Sequence, residues 1–199
     1  TEDVDGVIVP PISRDDPNVK RLLESDIAVV CVDRRMENVR VDTILSDSQK
    51  GAYRAVTHLL ELGHRRIGFI GGVPRISTSA DRREGYEQAL QDQGVPIDST
   101  LVREGDSRRE RGRYLTDALL DLDRPPTALF TGNNLTTLGA LSALSARDMS
   151  VPEEISLVGY DDVPWAMALN PPPTVIGQPA YEMGSRAAEL LLQRLDAPN

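Results

Sequence analysis

Apolar residues along this chain follow two spacings. Short unbroken runs end in Pro, Gly or Asp, and between them lie longer stretches in which apolar residues recur with a period near 3.6. The short runs at 4–9, 27–32, 41–45, 66–70, 99–103, 128–131, 155–158 and 175–178 read as buried strands. The longer stretches predict helices over 18–25, 50–62, 81–93, 110–122, 138–146 and 181–195. In the second of these Ala52, Ala55, Val56, Leu59 and Leu60 share one face, and Gly63 is the expected stop. In the last, Met183, Ala187, Leu190, Leu191 and Leu195 are expected to point inward. Strands alternating with helices indicate an α/β fold built on a mostly parallel sheet.

Charge narrows the function. The 199 residues carry 22 Lys+Arg against 31 Asp+Glu, a net charge of −9. A chain of this length buries a real core as one domain or two small lobes. DNA binding through these residues would require a basic face, and none is expected. Cys31 is the single cysteine and sits in the apolar run AVVCV, so it reads as a small hydrophobe and no internal disulfide is possible. His58 and His64 lack partners at metal-ligand spacing, and neither a metal nor a cofactor is expected. No apolar run approaches the roughly 18 residues of a membrane span. Gly71-Gly72 after a strand is not followed by GxGxxG or GxxxxGK[ST], and no Ser-His-Asp or Cys-His set is evident. The chain is not expected to be an enzyme.

The richest stretch is ISLVGYDDVPWAMALNPPPTVIGQP at 155–179, where a strand runs into Asp161-Asp162. Carboxylates at the carboxyl end of a buried strand occupy the place where open α/β sheets bind ligands. This run resembles the effector-binding domain of the lactose-repressor/galactose-repressor (LacI/GalR) family of bacterial transcription regulators. The resemblance extends through DGVIV at 5–9, VDRR at 32–35, HLLELGHRRIGFIGG at 58–72, Arg82 with Gly85-Tyr86, VPEEISLVGYDD at 151–162 and MGSRAAELLLQRL at 183–195. It implies two Rossmann-like lobes of parallel sheet flanked by helices, of the periplasmic-binding-protein-like type I, with an incomplete amino-terminal lobe. Residues 1–46 would belong to the amino-terminal lobe, 47–177 to the carboxyl-terminal lobe, and 178–199 to a return helix. The helix-turn-helix that binds operator DNA would lie outside this chain, so the chain reads as a fragment. The implied partners are a small-molecule effector, often a sugar, and a second copy in a homodimer; the implied location is cytoplasmic. An extracytoplasmic sugar-binding protein of an ABC transporter shares the fold and is the alternative.

The resemblance assigns ligand contacts to Asp33, Thr78, Arg82, Asn133, Asp161 and Gln178. Carboxylates, amides and guanidinium groups suit sugar hydroxyls because they form directional, charge-assisted hydrogen bonds. Each position also admits a plainer role. Asp33 caps a loop, Arg82 is a solvated helix residue, Asn133 is a turn residue, and Asp161 is a helix cap with Asp162 beside it. Three departures from the family pattern stand out. Ser107 follows Gly105-Asp106 where an aromatic residue commonly stacks on the ligand. Asn133-Asn134 replaces Asn-Asp. Arg108, Arg109, Arg111 and Arg113 cluster nearby; such a cluster suits a phosphorylated or carboxylated ligand, and the favoured reading is a solvated helix face partly offset by Glu110. Leu138, Met167 and Leu169 are the implied dimer contacts, and Trp165 is expected at a surface rather than in deep core.

Overall fold

Eight strands, all paired in parallel, form two sheets among the described residues. The structure is a computed structural model and describes residues 4–196. Residues 1–3 and 197–199, the outer ends of the two segments expected in the amino-terminal lobe, lie outside the described residues. The chain divides into two compact units: the residues up to Asp47 with Arg75–Thr78 and those from Pro179 onward, and Ser48–Pro74 with Ser79–Gln178.

The first unit holds a three-stranded sheet of order β1-β2-β3, with β1 at Gly6–Val9, β2 at Ala28–Val32 and β3 at Asp42–Ile44. Helix α1 (Pro17–Leu23) starts from Asp16, whose carboxylate accepts the Asn18 amide, and it buries Val19 beside Val29 and Cys31. Burial, with the Asp16 charge second, pushes the Cys31 thiol up to about 11, so Cys31 is inert as a nucleophile at neutral pH. Helix α6 (Ala180–Asp196) buries Met183 and Ala187, while Leu195 is 38% exposed. This corrects the inward placement of Leu195. A helix of 17 residues is about 25 Å long and overhangs strands of three to five residues.

In the second unit the sheet order is β5-β4-β6-β7-β8. Its strands are β4 at Ile67–Gly71, β5 at Val102–Glu104, β6 at Ala128–Thr131, β7 at Ser156–Tyr160 and β8 at Thr174–Ile176. Helices α2 (Ser48–Glu61) and α3 (Ser77–Asp92) contribute to one hydrophobic cluster, and α4 (Arg109–Leu120) and α5 (Asn134–Ala146) to another. The first is organised by Phe69, whose ring stacks on Tyr86 at 5.1 Å and Phe130 at 5.5 Å, each pair stabilising by ~0.5–1.5 kcal/mol beyond burial. In the second, α4 and α5 approach so closely that a Cβ on Gly139 would lie 2.3 Å from the Arg109 carbonyl oxygen. Gly63 (φ 93°) and Gly94 (φ 65°) end α2 and α3 in the left-handed conformation that glycine adopts without strain.

Several element boundaries differ from expectation, four of them with a clear cause or consequence. Strand β1 starts at Gly6, leaving Val4 59% exposed. The Asp98 carboxylate accepts the Thr100 amide at 3.0 Å and winds Ser99–Leu101 into a 3-10 turn, which shortens β5 to Val102–Glu104. Helix α3 starts at Ser77 and α5 at Asn134, each about a turn earlier than its apolar period suggests. First turns are polar, and caps rather than apolar residues set where they begin.

Candidate functional site

Because every strand of the second unit runs the same way, all its carboxyl ends share one edge. From β4 the chain goes to β5 on one side and then crosses to β6 on the other, so the order reverses between β4 and β6. Such a switch point opens a crevice where α/β sheets take their ligands. The loops bordering it start at Gly72 after β4 and at Gly132-Asn133 after β6.

Arg82, on α3, is 6% exposed and donates through Nη1 to the Gly132 carbonyl at 2.6 Å. Its Cζ lies 3.7 Å from the centre of the Tyr160 ring, a cation–π contact that stabilises by about 2 kcal/mol when desolvated. The Arg82 Nε is buried without a hydrogen-bond partner. An unmade buried donor costs ~1–3 kcal/mol. Arg82 is therefore not a solvated helix residue.

Asn133 spends its amide inside the protein. Its Oδ1 accepts the Thr136 amide at 2.9 Å while Thr136 Oγ1 accepts the Asn133 amide at 3.1 Å, a reciprocal cap on α5. Its Nδ2 donates to the Ser107 carbonyl at 3.1 Å, tying the loop after β5 to α5. Asp161, directly after β7, sits at φ 74°. Its carboxylate accepts Gln178 Nε2 at 2.6 Å and the Asn134 amide at 3.3 Å. A non-glycine residue in the left-handed region stores strain, which clusters at binding sites. The structure thus brings Arg82, Asn133, Asp161 and Gln178 to one sheet edge, through Gly132, Asn134 and the loop at Ser107.

Asp33 and Thr78 belong to the other unit. Asp33 follows β2 at φ 66°, with its amide donating to the Ile44 carbonyl at 2.9 Å and its carboxylate 3.4 Å from Arg34 Nε. Thr78 is buried on α3. Arg108, Arg109, Arg111 and Arg113 are all exposed, and Arg111 lies over the Tyr114 ring at 4.9 Å, in keeping with a solvated face. Met167 is 75% and Leu169 39% exposed, Leu138 is half-buried, and Trp165 is half-buried.

Sequence reasoning passed over two participants. Tyr160 was legible only as the aromatic residue of the Gly-aromatic-Asp-Asp run. Ser107 was read as the loss of a stacking ring, yet it sits at φ 65° with its hydroxyl 2.4 Å from where a Cβ on Gly72 would project; the Ser79 hydroxyl is 2.7 Å from the same point. Two hydroxyls therefore flank Gly72 at the carboxyl end of β4.

The family model described as a periplasmic binding protein-like domain matches residues 56–199. The HTH-type transcriptional repressor PurR of Actinobacillus pleuropneumoniae serotype 3 is 34% identical over 192 residues, covering 96% of this chain and 57% of the repressor. A regulatory protein of the LacI family from Chloroflexus aggregans superposes with a TM-score of 0.89 at 32% identity, over 98% of this chain and 70% of that one. The transcriptional regulator CelR in complex with cellobiose gives a TM-score of 0.91 at 35% identity, over 97% of this chain and 60% of that one. The chain belongs to the LacI/GalR family of transcription regulators and corresponds to the family's effector-binding domain. It spans about half the length of the curated relatives it matches. Those relatives are HTH-type transcriptional regulators. No helix among the described residues is long and apolar enough to cross a membrane.

Proposed function

We propose that this chain is the effector-sensing and dimerisation part of a cytoplasmic LacI-type repressor whose effector is a sugar or sugar derivative. The observation that carries this reading is the buried, incompletely paired Arg82 at the switch point, beside Asp161 and Gln178. A guanidinium, a carboxylate and an amide offer the planar donors and acceptors that fix vicinal hydroxyls. The cellobiose bound by CelR, a similar structure, makes a β-linked disaccharide the first probe. The two compact units stand for the two lobes. Effector would prefer one arrangement of the lobes and so bias operator affinity, since only a difference in affinity between states shifts an equilibrium. Exposed Met167 and Leu169, with Leu138, fit a dimer face. The transporter-type alternative gains no support, because the curated relatives are HTH-type regulators.

The test is operator binding by the full regulator, followed by fluorescence anisotropy with and without cellobiose, monosaccharides and sugar phosphates. A change in operator affinity of at least fivefold with one compound, absent in Arg82→Ala, is expected. Equal affinity with every compound would refute a sugar effector.

A further inference from the structure

We infer that Tyr160 is a positioning residue of the effector site: its ring is the platform that sets the plane of the Arg82 guanidinium. Arg82 makes one hydrogen bond, from Nη1 to Gly132, its Nε has no partner, and no ion pair to it is present among the described residues. A guanidinium held at one corner swings about that bond. A ring 3.7 Å beneath its central carbon removes the swing while leaving the remaining donors uncommitted.

The platform itself is rigid. Tyr160 is 2% exposed, ends β7, and forms part of the core with Phe69, Tyr86 and Phe130. Its hydroxyl fills the space above Gly51 on α2, where a Cβ would come within 2.4 Å of the phenol oxygen. The next residue is the strained Asp161, so one side chain steadies Arg82 while its backbone leads directly into the site's carboxylate. Gly51 is part of the same device: it provides the room that seats the ring.

The experiment uses the full chain with arginine labelled at 15Nε and 13Cζ, the Arg82 signals being assigned by their loss in Arg82→Lys. Tyr160→Phe keeps the ring, and its Arg82 signals should match wild type. Tyr160→Leu should move them out of the ring-current field. Gly51→Ala should displace them, and Gly51→Ala/Tyr160→Phe should bring them back most of the way, because removing the hydroxyl relieves the 2.4 Å clash and leaves only the 3.2 Å approaches to the ring carbon and Ile176. If Tyr160→Leu does not fold, the Gly51 pair decides. Arg82 signals unchanged in Tyr160→Leu, or not brought back in the double variant, would overturn the proposal. A second readout rests on the proposed function: Tyr160→Leu should weaken cellobiose binding about tenfold and Tyr160→Phe leave it unchanged. Undiminished affinity in Tyr160→Leu would count against positioning. Should cellobiose not bind wild type, the effector reading falls, and the arginine spectra still decide the role of Tyr160.

Discussion

The two ends of the five-stranded sheet use polar residues in opposite ways. At the amino end His64 and Arg66 are spent on the fold. His64 lies between Thr127 Oγ1 at 2.9 Å and Ser156 Oγ at 3.0 Å, at the starts of β6 and β7. Arg66 reaches Asp98 at 3.0 Å and the carbonyls of Arg124 and Pro125 at 2.5 and 3.5 Å. At the carboxyl end Arg82 keeps a buried donor unpaired, and Ser107 and Asp161 hold left-handed conformations. The unmet capacity of Arg82 at the carboxyl end is what supports the proposed ligand site there.

That contrast can be broken or sharpened by substitution. The largest effect is expected from Arg82→Met, which removes charged hydrogen bonds worth ~1.5–3 kcal/mol to a ligand. Effector affinity should fall at least tenfold by titration calorimetry. Thermal stability should fall as well, because the Gly132 hydrogen bond and the Tyr160 contact are lost, an effect partly offset by removal of the unpaired donor. Arg66→Ala should do the reverse, lowering unfolding free energy by roughly 1–2 kcal/mol in urea while affinity holds. Asn133→Ala should cost about 1 kcal/mol through the lost cap on α5. Asn133→Asp keeps the acceptor for Thr136 but loses the donor to Ser107, so most of that stability should return while protease cutting at 105–108 increases.

The smallest effect concerns pH. Burial holds the His64 pKa below its ordinary 6.5, so the folded state disfavours the charged ring. Stability from this source is full above the unfolded pKa and is lost as pH falls from about 6.5 through the folded pKa. Urea midpoints measured from about pH 7.5 to about pH 5.5 should decline, and His64→Gln should flatten that slope.

Much of the fold was legible because buried parallel strands are unbroken apolar runs. Strand β6 matches its expected bounds because Pro125-Pro126 and Gly132 punctuate it. Helix starts were less legible. The first turn of α5 is set by the Asn133–Thr136 cap, and the buried Asp81 and Arg82 interrupt any apolar stripe on α3. At the site, the family resemblance supplied residue types and positions. Their mutual contacts were not readable, since Gln178 meets Asp161, and Arg82 meets Gly132, only once the order β6-β7-β8 and the packing of α3 are known. The 3-10 turn at Ser99–Leu101 was missed because a single side chain, Asp98, redirects an otherwise strand-like run.

The most direct measurement is sugar titration by calorimetry against wild type, Arg82→Met and Arg66→Ala in parallel. The account predicts that one sugar binds wild type and Arg66→Ala alike and that Arg82→Met loses at least tenfold in affinity. Equal binding by Arg82→Met, or an equal loss in Arg66→Ala, would contradict the assignment of the carboxyl end as the effector site.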